Sequence, residues 1–153
     1  MLIGALGVQT AHAAPSGLAA FFHGESSSVL TQRALATFAR GAFAQARQDF
    51  RALAVRGDSA AEAMLGTMAA HGQGTPRNHA VAAAWFLRAA RRGYAPAELA
   101  LAHSFAQGLG VPHDISRAVA LADSAAIQGT PGAAEYAAHL RAQNHLPPAD
   151  MAP

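Results

Sequence analysis

The sequence repeats itself at an interval of 36 residues, and this period constrains the fold more than any other feature. Glycines recur in register at three points, and alanines and leucines accompany them. The matching sets are Gly57/Gly93/Gly129, Gly72/Gly108, Gly74/Gly110, Ala61/Ala97/Ala133 and Leu65/Leu101. A period of about 20 to 50 residues is typical of repeat proteins, in which one small unit is stacked several times. We therefore expect a stacked array.

Each repeating unit is predicted to be a helical hairpin. Apolar and small residues at helical spacing predict a first helix from about Ala61 to His71, which ends at the turn Gly72-Gln73-Gly74. A second helix is expected from about Asn78 to Arg92, closed by a left-handed residue at Gly93. Alanine is abundant, and it favours closely packed helices over sheet. The next unit repeats these elements over residues 97–107, 108–112 and 115–128.

Polar residues and prolines mark the predicted helix starts. Asn78 and Asp114 stand where an N-cap oxygen is needed to accept a free backbone N–H. Pro96 and Pro131 fit first-turn positions, where the missing N–H of proline costs nothing. These signals predict an all-α fold, an α-solenoid of antiparallel helical hairpins.

The expected domain boundaries follow from this period. Residues 28–143 form the predicted repeat domain, preceded by a linker at 15–27 and followed by an extended, disordered tail at 144–153 that contains Pro147 and Pro148. Within the domain, we expect hairpins at about residues 29–56, 58–92 and 95–128 and a final helix at 131–143.

The first residues have several features of a signal peptide. An apolar run from Leu2 to Val8 precedes the small-residue pattern Ala11-His12-Ala13, although the basic residues that usually open such a peptide are missing. We expect residues 1–14 to be a truncated signal peptide and the protein to be periplasmic or secreted. If this segment is not a signal peptide, the expected location is the cytoplasm. No run of residues is long and apolar enough to predict a membrane span.

The repeating residues resemble the Sel1-like repeat family, which is related to the tetratricopeptide repeats. The resemblance covers roughly residues 30–143. Two departures, Ala102 in place of the usual glycine and Leu121-Ala122 in place of an aromatic pair, suggest looser packing in the second copy. The residues that carry the resemblance in the first copy are Leu65-Gly66, Gly72-x-Gly74, Ala82, Trp85-Phe86 and Ala89-Ala90 before Gly93. The resemblance implies a solenoid that serves as an adaptor and whose first helices line its concave side.

Polar residues recur on one face of the predicted first helices. Thr67, His103 and His139 share one repeat position, and the position four residues later shares the same helix face. We consider three interpretations, namely the solvated face of each helix, a groove for a partner protein, and a metal or catalytic site. The candidate partner-binding residues are Thr67, His71, His103, Gln107, Glu135, His139 and Gln143, with Leu99 beside them.

Several kinds of chemistry are excluded or disfavoured by the sequence. With no cysteine, the chain has no disulfide, zinc–thiolate site or cysteine nucleophile. Its eight histidines do not form HExxH or any pair three or four residues apart, and GxSxG and phosphate-binding loops are missing. A net charge of +2 argues against nucleic acid, and the group Arg88, Arg91 and Arg92 is interpreted as cations that favour a helix C-terminus. We assign no catalytic residue, no metal ligand and no cofactor.

The sequence therefore predicts a non-catalytic protein–protein interaction module whose partner is a protein or peptide. Weak self-association through the terminal helix is a further expectation, because repeat arrays need capped ends. Two alternatives stay open: a cell-envelope enzyme like the β-lactamase-like branch of Sel1 proteins, and a metal binder that uses the histidines.

Overall fold

A computed structural model describes residues 25–146. Within this range it contains seven α-helices and no strand. The helices are α1 Ser27–Ala39, α2 Phe43–Val55, α3 Ser59–His71, α4 His79–Arg91, α5 Ala95–Gln107, α6 Ile115–Ile127 and α7 Ala133–Asn144. The first six form three hairpins and α7 follows them, so the predicted all-α solenoid is confirmed.

The N-caps lie where the sequence predicts them. The Asn78 side-chain oxygen accepts a hydrogen bond from the Val81 N–H at 3.0 Å, and Asp114 accepts one from the Arg117 N–H at 3.0 Å. Each contact satisfies a backbone donor that has no partner inside the helix. Pro96 lies in the first turn of α5, also as predicted.

Glycines form equivalent corners between successive hairpins. Gly57, Gly93 and Gly129 follow the C-caps of α2, α4 and α6, and their φ angles are +87°, +80° and +80°. In this left-handed region a side chain crowds its own backbone, so glycine is strongly favoured. The recurrence at 36 residues thus corresponds to one turn geometry used three times.

The prediction for Pro131 is wrong. Helix α7 begins at Ala133, after Gly132, and Pro131 lies outside it. The Ala133 N–H donates to the carbonyl of Thr130 at 3.2 Å, and Gly132 has φ +76° and ψ −5°. These values match a type II turn with proline and glycine at its centre, in which the glycine conformation is incompatible with a helix.

Two predicted boundaries are also wrong. The predicted linker reaches residue 27, whereas Ser26 already caps α1 by accepting from the Val29 N–H at 3.4 Å. The predicted tail starts at residue 144, whereas Asn144 is the last residue of α7. Local hydrogen bonds extend each end by a residue or two. The predicted signal peptide (1–14) and most of the predicted tail (147–153) lie outside the described residues.

The core consists of three buried clusters, each built from three consecutive helices. The first cluster draws on α1 to α3, the second on α3 to α5 and the third on α5 to α7, so α3 and α5 each belong to two clusters. Leu101, on α5, is only 2% exposed, and Phe105 packs against both the second and third clusters. Every helix pair in extensive contact is consecutive in the chain, as a solenoid requires.

The second glycine of each Gly-x-Gly turn allows successive hairpins to meet. A Cβ atom on Gly74 would lie 2.7 Å from the carbonyl of Phe43, and one on Gly110 would lie 2.2 Å from the carbonyl of His79. Phe43 and His79 are the first residues of α2 and α4. Each turn therefore rests directly on the start of the preceding second helix, which leaves no room for a side chain.

Candidate functional site on the first-helix face

The predicted partner-binding residues lie on α3, α5 and α7, which together form what we call the first-helix face. A cavity of about 320 Å³, the α3–α5 cavity, is lined by Thr67, His71 and His103. A second of about 440 Å³, the α5–α7 cavity, is lined by Gln107, His139 and Gln143. Glu135 is exposed on α7 and is not part of the lining of either cavity. Leu99 is partly buried against the third core cluster.

The α3–α5 cavity has a mixed lining. Phe86, Leu109 and three alanines supply its apolar part. His79, the first residue of α4, is one of its polar lining residues. The His71 Nδ1 atom lies 2.8 Å from the carbonyl oxygen of Thr67, so in a neutral ring this nitrogen carries the proton and Nε2 is left as an acceptor.

The α5–α7 cavity is more polar. Three side-chain amides line it, from Gln107, Gln143 and Asn144, together with the imidazoles of His113 and His139. Amides supply both donors and acceptors, and neutral imidazoles supply one of each. This cavity can therefore form hydrogen bonds to the backbone or polar side chains of a bound chain.

A stacked aromatic pair separates the two cavities. The ring centroids of His103 and Tyr136 are 3.8 Å apart with an angle of 32° between their planes, and each ring lines a different cavity. Shielding from water lowers the pKa of the His103 imidazole and raises the pKa of the Tyr136 hydroxyl. Both groups are therefore uncharged at neutral pH, and the partition between the cavities carries no charge.

Other charged groups pair with one another away from this face. Arg33 donates to both carboxylate oxygens of Asp49, at 2.9 and 2.6 Å, and Arg141 pairs with Asp123. Within residues 25–146, no three His, Asp or Glu side chains are arranged to hold a metal ion, and no side-chain hydroxyl hydrogen-bonds to a histidine ring. In the same range, no helix has the length and apolar character of a membrane span.

Sequence reasoning missed a pair of equivalent polar contacts inside the hairpins. Glu62 is fully buried, and its carboxylate lies 3.0 Å from Arg88 and 3.3 Å from Arg92. One period later, Glu98 accepts a hydrogen bond from Gln128 at 2.9 Å. The signal was present in the sequence, because 62 and 98, like 92 and 128, are 36 residues apart.

The histidines contributed by other elements were missed as well. His79 opens α4 and His113 lies in the turn before α6, so neither belongs to a first helix. A pattern restricted to first helices does not include them. The position of Tyr136, one period after Ala100, was likewise not recognised.

Comparison with known proteins identifies the repeat. A family model, the Sel1 repeat, matches residues 59–94 and 95–130. The crystal structure of a Sel1 repeat protein from Oxalobacter formigenes is similar, with 28% identity and a TM-score of 0.61 over 64% of this chain and 39% of that one. A protective antigen of uropathogenic Escherichia coli strains, displaying an SLR fold, gives 24% identity and a TM-score of 0.68 over 78% and 26%.

The second of these likenesses shows the fold alone, because its identity is so low. This chain spans less than half the length of either protein. No curated protein matches the sequence closely enough to support an inference.

Proposed function

This is a Sel1-repeat protein, and we propose that it is a non-catalytic module that binds a protein or peptide partner along its first-helix face. Sel1-like repeat folds are commonly protein–protein interaction modules, and solenoids present long surfaces suited to extended partners. In this proposal the partner contacts the seven residues predicted from the sequence and, in addition, His79, His113 and Tyr136.

One observation carries the proposal: two cavities lie on consecutive first helices, and the contacting rings of His103 and Tyr136 belong one to each lining. An extended segment fits this arrangement, because its side chains reach separate pockets at regular intervals. We infer that an apolar side chain enters the α3–α5 cavity, over Phe86 and Leu109. The amides of the α5–α7 cavity then bind the backbone or a polar side chain further along.

The proposal is tested by charge substitutions on this face. Thr67→Arg and His103→Glu each place a charge at the α3–α5 cavity, and we expect either to abolish capture of partners from an envelope fraction. Burying an unpaired charge at an interface is costly, whereas in the free protein a new charge reaches water, because His103 is exposed and Thr67 is only partly buried. Quantitative affinity purification measures the effect.

The matched control for Thr67→Arg is Ala120→Arg, which adds the same positive charge at an exposed position on α6. Circular dichroism and thermal melting should be unchanged in all three variants. If Thr67→Arg and His103→Glu retain the parent's partners at the parent's yield, the first-helix face is not the binding surface.

We further propose that the chain is exported, on the strength of the apolar and small residues within positions 1–14. Mass spectrometry of protein recovered from cells tests this proposal directly. Loss of that segment supports export, and an intact Met1 contradicts it.

A further inference from the structure

A second groove lies between α2 and α4, the second helices of the first two hairpins. This α2–α4 groove has a volume of about 110 Å³ and contains two arginines, Arg47 and Arg51, one turn apart on α2. The remaining lining residues are Leu65, Ala69, Thr75, Val81 and Trp85. The groove is thus a small apolar slot with two guanidinium groups and one hydroxyl.

The repeat provides an internal comparison for this groove. One period later, the equivalent groove between α4, α5 and the turn at Gly110-Val111, the α4–α5 groove, has a volume of about 210 Å³ and an apolar lining. Ala83, Leu87 and Val111 occupy the positions of Arg47, Arg51 and Thr75, and Leu101 occupies that of Leu65. The counterpart of Val81 is Arg117, whose guanidinium lies 5.6 Å over the Phe105 ring. The hairpin therefore forms with apolar residues at the three positions of Arg47, Arg51 and Thr75, so the fold does not require polar ones there.

The arginines of the α2–α4 groove have no anion within the described residues. The Nε atom of Arg47 is buried and has no hydrogen-bond partner there, and neither Arg47 nor Arg51 forms an ion pair. A buried donor without a partner is unfavourable. Most acidic side chains in residues 25–146 are already engaged by other groups, namely Glu25, Asp49, Asp58, Glu62, Glu98, Asp114 and Asp123.

We propose that the α2–α4 groove binds a carboxylate of an acidic partner peptide. Guanidinium groups pair with carboxylates through parallel N–H···O hydrogen bonds, and the Thr75 hydroxyl adds a further donor. Leu65, Val81 and Trp85 provide an apolar wall for the short aliphatic stem of a Glu or Asp side chain. The small volume restricts the site to a single side chain or chain end. The site is distinct from the first-helix face and does not depend on it.

Trp85 is the single tryptophan of the chain and lines the groove, so its fluorescence reports occupancy. We would titrate the full chain with amidated tetraglutamate and follow both fluorescence and heat. Amidated tetraglutamine is the control without carboxylates, and free-acid tetraglutamine, which has only a terminal carboxylate, separates a chain end from a side chain as the source. We expect saturable binding of tetraglutamate and none of amidated tetraglutamine.

Substitutions taken from the next repeat make the test specific. Arg47→Ala and Arg51→Leu introduce the residues that the α4–α5 groove carries at these positions, so the fold should be preserved. Each should weaken tetraglutamate binding by about tenfold or more, the expected loss for a charge-assisted hydrogen bond. Arg91→Ala removes the same charge at an exposed site outside the groove and should leave binding unchanged.

Three results would overturn the proposal. The first is the lack of a saturable fluorescence or calorimetric signal with tetraglutamate. The second is an equal loss of binding in Arg91→Ala, which would indicate general charge attraction. The third is inorganic phosphate that binds more tightly than tetraglutamate and displaces it, which would assign the groove to phosphate. His103→Glu should bind tetraglutamate normally, which keeps this test separate from that of the first-helix face.

Discussion

The two Sel1 repeats, residues 59–94 and 95–130, have the same backbone plan but fill their helix–helix seams differently. In the first, Gly66 of α3 faces Phe86 of α4, and a Cβ atom on Gly66 would lie 2.6 Å from that ring. In the second, the equivalent residues are Ala102 and Ala122, both fully buried. The aromatic ring has moved to Phe105 of α5, whose counterpart in the first repeat is Ala69.

The two repeats thus place their large aromatic side chain on opposite helices of the hairpin, Phe86 on the second helix and Phe105 on the first. We expected looser packing in the second repeat from Ala102 and the missing aromatic pair. Ala102 and Ala122 are both fully buried, and the looser packing stays a prediction.

The buried acids of the two repeats have partners of different charge. Glu62 faces two half-exposed arginines, whereas Glu98 is only 9% exposed and accepts from the neutral amide of Gln128. The end of the second helix thus places a polar partner beside the buried carboxylate in both repeats, an ion-pairing guanidinium in the first and a hydrogen-bonding amide in the second. The position of the polar contact is therefore the same in the two repeats, whereas the charge of the residue that contacts the acid differs.

The largest effect should come from Gly110, a position that both repeats keep as glycine. Gly110→Ala would combine a φ of +73° with a Cβ atom 2.2 Å from the His79 backbone. Because neither backbone segment can move without separating two hairpins, we expect a loss of about 3 kcal/mol or more in the free energy of unfolding. Urea denaturation measures this loss.

Gly129→Ala is the matched control, since its φ is +80° with open space around the new atom. It should cost only about 1 kcal/mol, the price of the left-handed conformation itself. If the two substitutions lower the free energy of unfolding equally, the contact with His79 is not the reason that residue 110 must be glycine.

An intermediate effect should come from exchanging seam residues between the repeats. Gly66→Ala places a methyl group against Phe86 and should destabilise by about 1 to 3 kcal/mol. In a Phe86→Ala background the same change recreates the alanine pair of the second repeat and should stabilise by up to about 1 kcal/mol, since alanine favours helix over glycine.

Thermal and urea unfolding of the four proteins in this cycle give the coupling energy. If Gly66→Ala destabilises the protein equally with and without Phe86, the Phe86 ring is not the reason that position 66 is glycine in the first repeat. Ala102→Gly, the reverse change in the second repeat, should be destabilising, because there no aromatic ring lies opposite to take up the space.

The smallest expected effect is a change of stability with pH, and it arises at the position that is Thr67 in the first repeat and His103 in the second. The pKa of His103 should lie below the ordinary value of about 6.5, because Tyr136 shields its ring. The unfolded chain therefore binds this proton more readily, so stability from His103 is present at neutral pH and is lost as the pH falls below about 6.5. NMR titration of the ring protons measures the midpoint.

Removing the stacking ring provides the control for this titration. Tyr136→Ala should bring the midpoint of His103 back towards the ordinary value and leave the other imidazole titrations in place. A midpoint of His103 that does not respond to this change would mean that the stack does not shield it.

The sequence was sufficient to predict the elements whose cause is local. Asn78 and Asp114 cap helices through residues three positions away, and Gly93 closes a turn through its own backbone. Such features recur at the 36-residue period and can be recognised from the sequence alone. Pro131 was misplaced because the glycine that follows it changes the backbone geometry, and two patterns, a first-turn proline and a Pro-Gly turn, compete at that point.

The site was predictable only in part. The shared helix face of Thr67, His103 and His139 follows from spacing, and the structure arranges the candidate residues around two cavities; their role in binding stays a prediction. The contributions of His79 and His113 depend on how a turn of one hairpin lies against a helix of another. Distances between hairpins are set by packing across the seams, which spacing along the chain does not encode.

All extensive helix contacts join consecutive helices, and this has a consequence for how such chains change over time. A hairpin added or lost at a glycine corner leaves the extensive contacts within the other hairpins intact. Reach and curvature can therefore grow in whole units by duplication of a gene segment. Each new copy is then free to diverge at its grooves, as Arg47 and its counterpart Ala83 already have.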